Sequence, residues 1–396
     1  MRKKTVRDID VAGKRVLVRV DFNVPLDEEG GVKDDTRIRA ALPTLRYLLD
    51  RGASLVVMSH LGRPKGQVVE TMRLSSVARR LGELLGTGVL KLDQVVGAEV
   101  EKACAGLKPG EVVLLENLRF EPGETSNDPE FAASLARLGD IYVDDAFGAA
   151  HRAHASVVGV AELLPAVAGF LMDKELRALN GLLQDPARPF MAVLGGSKVS
   201  DKLKLLSNFQ EVVDNLIIGG GMCFTIMKSR GMEIGKSLCE DELLQEVEEV
   251  MSRAGEKRAE ILLPDDLVVA AEFKADAESR VVEAAAIPPG WMGLDIGPRT
   301  IEKYASTIGT AKTIFWNGPM GVFEWDRFQR GTREVGKAIA ASAAVTVAGG
   351  GDTIAAIKKY GLEDAFTHIS TGGGASMEFL EGKALPGVAV LEDAGS

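Results

Sequence analysis

Two lysines four residues apart stand behind a glycine pair in Gly195-Gly196-Ser197-Lys198-Val199-Ser200-Asp201-Lys202. Glycine lets a backbone N–H approach an anion closely, and a strand–glycine–helix turn gathers such groups at a helix N-terminus. Read as the first turn of a helix, the segment points Lys198 and Lys202 the same way, where two cations would spread phosphate charge. The alternative is a solvated helix face, the usual setting of lysine. The glycines tip the reading toward phosphate. Further runs occur at Gly219-Gly220-Gly221, Gly349-Gly350-Gly351 and Gly372-Gly373-Gly374. Together they favour a phosphate or nucleotide over plain tight turns. None spells G-x-G-x-x-G, and the segment from Gly231 to Ser237 is one residue short of a Walker A motif and follows no strand, so it is read as a chance match.

Asp352, in Gly350-Gly351-Asp352-Thr353, puts one carboxylate beside a cradle. Magnesium takes one or two carboxylates plus substrate phosphates and water, so a single Asp suffices; a helix N-cap is the competing role. Glu324 could accept from a ribose hydroxyl or be an exposed acid, and spacing leaves the two level. In the first part of the chain, Arg19-Val20-Asp21-Phe22-Asn23 alternates at period two, which puts Arg19, Asp21 and Asn23 on one side. Arg37, Arg63, Arg119 and Arg152 follow in loop-like contexts. Arginine's planar fork suits carboxylate and phosphate, so a small phosphorylated acid is the natural guest, and scattered surface arginines are the alternative. His60 reads as a donor to an anion or as a packed loop residue, with the donor role favoured. His151 and His154 are spaced i,i+3 but lack the partners of a zinc site.

The elements that must position these groups are short β-branched runs alternating with helical spacing, the pattern of parallel α/β sheets. Strands are expected at 15–22, 54–59, 112–115, 141–143, 190–194, 215–218, 313–316, 344–347 and 366–369. Asn23, His60 with Arg63, Arg119, Gly195 to Lys198 and the other glycine runs with Asp352 follow soon after these strands, at the carboxyl ends where open parallel sheets bind ligands. A helix over 173–184, stopped by Asp185-Pro186, reads as a connector. The expected fold is therefore α/β, with two doubly wound, Rossmann-like lobes at 1–172 and 185–378 and a tail over 379–396. The arithmetic agrees with such a chain: 396 residues allow two or three domains, and the longest stretch without charge, from Ala338 to Gly351, is 14 residues, short of the roughly 18 that a membrane span needs. Glycine is 44 of the 396, about 11% against a usual figure of roughly 7%. Net charge is −10, carried almost wholly after residue 172, which argues against nucleic acid and anionic membrane as partners. A basic N-terminus followed by acids does not read as a signal peptide, and three cysteines without paired spacing suit a reducing compartment, so a cytoplasmic chain is expected.

In order along nearly the whole chain, these segments resemble the phosphoglycerate kinase family: Arg19 to Pro25, Ser59-His60-Leu61-Gly62-Arg63-Pro64, Leu115 to Phe120, Asp145-Ala146-Phe147-Gly148 with His151 to His154, Gly195 to Lys202, Trp316-Asn317-Gly318-Pro319, Gly349 to Thr353 and Ser370 to Ser376. The resemblance implies reversible phosphoryl transfer between 1,3-bisphosphoglycerate and Mg-ADP, giving 3-phosphoglycerate and Mg-ATP. It implies a triose site made by Asp21, Phe22, Asn23, Arg37, His60, Leu61, Gly62, Arg63, Arg119 and Arg152. For the nucleotide it implies Gly195, Gly196, Lys202, Gly293, Glu324, Gly350, Gly351, Asp352 and Thr353, with Asp352 meeting magnesium. Arg37, Lys198 and the amides around Gly372, Gly373 and Gly374 are implied to meet the transferring group. A two-lobed monomer that closes about a hinge is implied as well. A two-domain dehydrogenase would need a dinucleotide fingerprint with an acid about 20 residues on, which is missing. A hinged solute-binding protein is disfavoured by the phosphate-directed lysines and the absence of a signal peptide.

Overall fold

The structure is a computed structural model and describes residues 2–253 and 259–395. The chain divides into two compact units. The first runs to Arg177 and takes back the stretch from Ala384 onward; the second covers Ala178–Lys383.

Six parallel strands form the sheet of the first unit: β1 (Arg15–Val20), β2 (Ser54–Met58), β3 (Val89–Lys91), β4 (Val112–Leu114), β5 (Ile141–Asp145) and β6 (Ala166–Ala168). Their order is β3-β4-β2-β1-β5-β6. The chain builds outward on one side of β1 and then crosses to β5 on the other, so the direction of winding switches at β1. Strands β1, β2 and β4 are rich in Val and Leu, and every position of β2 and β5 is buried, the two aspartates that end β5 included. Each Val or Leu side chain contributes about 1.5–3 kcal/mol on burial. The loops after β1, β2, β4 and β5 all leave from the same edge and carry residues 21–25, 60–64, 116–120 and 146–152.

The second unit repeats the scheme with β7 (Phe190–Leu194), β8 (Asn215–Ile218), β9 (Glu260–Leu262), β13 (Thr313–Asn317), β14 (Val345–Ala348) and β15 (His368–Ile369), ordered β15-β14-β13-β7-β8-β9, all parallel. Winding switches between β7 and β13, and the glycine runs follow β7, β8, β14 and β15. Between β9 and β13 lies a three-stranded antiparallel sheet of β10 (Asp266–Ala270), β11 (Ser279–Glu283) and β12 (Met292–Ile296), in the order β11-β10-β12. The expectation of parallel sheets alone did not include it.

Two boundaries differ from expectation. The connecting helix starts at Phe170 rather than 173 and ends at Gln184; the buried Asp145 carboxylate accepts from Leu171 N at 2.8 Å and Met172 N at 3.3 Å, capping it from a distant strand. A boundary at 378 falls inside the helix Gly374–Leu380. The terminal stretch docks on the first unit, where Lys4 N donates to Glu392 O at 2.8 Å and Glu392 N to Ala166 O at 3.0 Å. Among the described residues no helix is long and apolar enough to cross a membrane.

Candidate active site

In the first unit the arginines converge. Arg63, Arg119 and Arg152 border one cavity of about 570 Å³, together with Lys65 and His154. Arg119 is 8% exposed, and burial followed by the charges of Arg152 and Arg19 lowers its guanidinium to about 10. Its Nη1 donates to Gly62 O at 2.6 Å. Asn23 accepts from Gly62 N at 2.9 Å, so the loop after β2 is held from both sides. Arg37, on the first turn of the helix Thr36–Asp50, donates to Asp21 at 2.8 Å. His60 is buried, and burial, then Arg19, Arg119, Arg152 and Arg37, push its imidazole well below the usual range. A neutral imidazole beside that many cations can still donate one N–H.

Phe22 and Leu61 stand apart from the expected contact set. The Phe22 side chain lies wholly in the core and its N–H goes to Ser59 Oγ at 2.9 Å. Leu61 is 4% exposed, with both backbone groups held by the Asn117 side chain. These two shape the loops and have no group left for a ligand. Arg19 leaves the surface altogether: it is 1% exposed and donates to Ser156 Oγ at 2.9 Å, to His60 Nδ1 and to Val20 O.

The second unit holds two adjoining cavities. One, of about 520 Å³, is mostly apolar, with Leu238, Met292, Gly293, Leu294 and Val322 in its wall and Glu324 and Asp352 among its polar residues. The other, of about 290 Å³, is bordered by Gly196, Lys198, Lys202, Gly350, Gly351, Asp352, Thr353, Gly373 and Gly374. Asp352 and Gly196 border both. Lys202 donates to Asn317 Oδ1, and Asn317 Nδ2 donates to Gly349 O at 2.6 Å. Burial lowers the Lys202 amine from its ordinary value.

The lysines do not lie on a helical turn. The helix begins at Leu203, with Lys202 capping it at φ −131°, because Ser200 gives its N–H and hydroxyl to Glu240 at 3.0 and 2.6 Å and buried Val199 turns inward. The N-cap role is also excluded for Asp352: Gly350 is the N-cap of the helix Gly351–Lys359, and Asp352 is exposed in its first turn. Gly195 and Gly196 do not offer their amides to a phosphate. Their N–H groups donate to Asn317 O and Pro319 O, each at 2.9 Å, and Gly220 N donates to Met320 O at 3.0 Å. These glycines let three loops interlock backbone to backbone. Gly372 gives its N–H to Ser370 Oγ at 3.2 Å, whereas Gly373 and Gly374 border the smaller cavity.

The sequence reading gives no site role to Lys65 or Lys236 and carries Asn317 only as part of a motif. Lys65 sits at φ 57° between Pro64 and Gly66, a turn signal that was available. Lys236 borders the apolar cavity from within the segment read as a chance Walker match, and its neighbour Ser237 accepts from Gly293 N at 2.9 Å. That segment is no phosphate loop but does shape the cavity.

A phosphoglycerate kinase family model matches residues 6–383. The chain is 58% identical over 393 residues to the phosphoglycerate kinase of Moorella thermoacetica, covering 99% of this chain and 100% of that one. It is likewise 58% identical to that of Rubrobacter xylanophilus, over 99% of each. The solved phosphoglycerate kinase of Coxiella burnetii superposes with a TM-score of 0.91 at 42% identity, covering 98% of both chains.

Proposed function

Because this chain belongs to the phosphoglycerate kinase family, we propose that its two sites divide the substrates of that reaction between them, triose in the first unit and nucleotide in the second. The chain is a phosphotransferase that moves a phosphoryl group reversibly between 1,3-bisphosphoglycerate and ADP, a glycolytic step. The observation that carries the division is the position of Asp352, which borders both an apolar cavity suited to a base and a lysine- and glycine-lined cavity suited to phosphates.

On this reading Arg63, Arg119 and Arg152 receive the anionic groups of the triose, Asn23 holds the loop beneath them, and neutral His60 donates one N–H. Glu324 faces the ribose, and the wall around Gly293 takes the base. Lys202 and the first-turn amides of Gly351 to Thr353 take phosphate oxygens, since a helix start leaves its N–H groups without partners. The exposed Asp352 carboxylate, free of any capping duty, fits a magnesium ion carried in mainly by the nucleotide. Magnesium there would neutralise phosphate charge.

The chemistry asks little of the protein beyond position and charge. The attacking oxygen, on ADP or on the carboxylate of 3-phosphoglycerate, is already an anion, so no general base is required. Charge on the transferring group spreads over its equatorial oxygens, and Arg37, Lys198 and the amides of Gly373 and Gly374 are suited to receive it. Assigning the substrates to different units makes closure an obligatory step, because the reacting atoms must reach about 3–3.5 Å. Closure also excludes the water that would hydrolyse an acyl phosphate. The chain acts as a cytoplasmic monomer.

The direct test is a coupled assay with 3-phosphoglycerate and Mg-ATP, with acetate and carbamate as control acceptors. Turnover confined to 3-phosphoglycerate is expected. Comparable rates with a control acid would overturn the triose assignment.

A further inference from the structure

Asn117 has no part in the contacts assigned above, yet it joins two loops that carry them. It lies between β4 and the short turn Leu118–Phe120, and its side chain is fully buried. Oδ1 accepts from the N–H groups of Leu61 and Arg119, each at 3.1 Å. Nδ2 donates to the carbonyls of Leu61 at 2.7 Å and Met72 at 2.9 Å. An amide has two donors and two acceptor positions, and all four are in use.

The arrangement continues the sheet where its ladder stops. Strands β2 and β4 pair in parallel as far as Val57 opposite Leu114. Beyond that point a backbone bond from Leu118 N to Ser59 O, 3.1 Å, still ties the two segments, and the side-chain amide of Asn117 then does for Leu61 what a neighbouring peptide group would do. It engages both backbone groups of the residue between His60 and Gly62. The same amide fixes the N–H of Arg119, whose guanidinium returns to Gly62 O. The clamp is itself anchored: Glu116, 2% exposed, accepts from Asn117 N at 2.9 Å and Leu74 N at 3.0 Å through Oε1, and from Arg73 and Lys91 through Oε2.

We propose that Asn117 is a positioning residue for triose binding: it sets the register of the loop bearing His60 and Arg63 against the loop bearing Arg119. The inference rests on the assignment of 3-phosphoglycerate to this cavity. Guanidinium recognition of phosphate and carboxylate is directional, so a slip between the two loops separates donors that must meet one ligand together.

The test measures 3-phosphoglycerate and ADP affinity separately by calorimetry on the full chain. The variants are Asn117→Ala, Asn117→Asp, Arg119→Ala and the double variant Asn117→Asp with Arg119→Ala. Asn117→Asp keeps the shape and the acceptor but loses both donors, and it carries the test if the alanine variant does not fold. We expect 3-phosphoglycerate affinity to fall about 10–100-fold in Asn117→Asp, the scale set by small misplacements, with ADP affinity unchanged. In the Arg119→Ala background the same substitution should cost much less, because the group it orients is gone. Unchanged triose affinity, an equal loss of ADP affinity, or full additivity in the double variant would each overturn the proposal. If Arg119→Ala alone binds 3-phosphoglycerate like the unaltered chain, the cavity assignment fails and the positioning role fails with it. That result is recognisable because the single Arg119 variant is already silent.

Discussion

Arg19 donates through Nη2 to Nδ1 of His60 across 3.1 Å, with both side chains buried. Guanidinium has no acceptor, so Nδ1 must be the bare nitrogen and the ring proton resides on Nε2. Strand alternation put Arg19 on the side of the candidate ligand groups; in the structure it acts one step back, on the histidine.

This bond has a consequence for pH. The imidazole is pushed well below its usual range, first by burial and then by Arg19 and three further arginines. The unfolded chain therefore takes up a proton on this residue near pH 6.5 that the native state refuses. Stability from this site is complete above that pH and declines as pH falls toward the native value, by at most about 1.4 kcal/mol per pH unit. Urea unfolding at pH 7.5 and 5.5 should lose more stability in the unaltered chain than in His60→Gln. Parallel losses would mean that the native imidazole is protonated.

Arg37→Ala should cut turnover by about 10²–10³-fold, as removal of a single donor to transition-state charge does. Its pair with Asp21 is 37% and 12% exposed on the two sides. A partly exposed ion pair contributes roughly 0–1 kcal/mol, so the fold should survive. ADP affinity should not change, since Arg37 and the nucleotide cavities belong to different units. Steady-state kinetics with ADP calorimetry checks both. A near-normal rate would remove Arg37 from the chemistry.

Gly350→Ala tests whether the glycine that caps the helix Gly351–Lys359 matters beyond turning the chain. Gly350 sits at φ 93°, and a Cβ there would come within 2.6 Å of Asn317 Nδ2, the amide whose oxygen receives Lys202. The strain should cost about 1–3 kcal/mol and displace Lys202 from the smaller cavity. Thermal unfolding with and without ADP should show a lower midpoint and a smaller ligand-induced rise. A lowered midpoint with an undiminished rise would separate the strain from nucleotide binding.

The legible parts of this molecule were those written by local pattern. Val, Ile and Leu runs marked the central strands because burial on both faces admits little else, and the residues after them fell at one edge of each sheet. Short edge strands such as Val89–Lys91 and Ala166–Ala168 carry too few residues to show a period. The strand Ser279–Glu283, with an exposed face and charges, did not read as a strand either. What could not be read was contact across distance. Asp145 caps a helix 25 residues away, Glu240 draws Ser200 out of a helical turn, and Asn117 clamps a loop 56 positions earlier. The glycine surplus suggests phosphate cradles; at Gly195 and Gly220 the amides serve loop packing, which the backbone contacts of Asn317 and Met320 reveal.

Asp352→Asn separates the metal role from the structural one. The residue is exposed in the first turn of the helix Gly351–Lys359, whose N-cap is Gly350, so Asn keeps the size and leaves the cap untouched. Loss of the carboxylate from a helix start costs about 0.3–1 kcal/mol of stability. The effect on binding should depend on the metal. With magnesium present, the carboxylate attracts the ion that the nucleotide carries, and its removal should weaken Mg-ADP about tenfold, the range of a lost charge-assisted contact. With magnesium chelated, the same carboxylate stands beside phosphate oxygens and Lys202 and repels the bare anion, so Asn should leave metal-free ADP affinity unchanged or slightly raised. Calorimetric titration of ADP in magnesium and in chelator, on both chains, reads the two arms directly. Equal weakening in both would assign Asp352 to shaping the helix start, and the magnesium contact would have to be sought elsewhere in the two cavities.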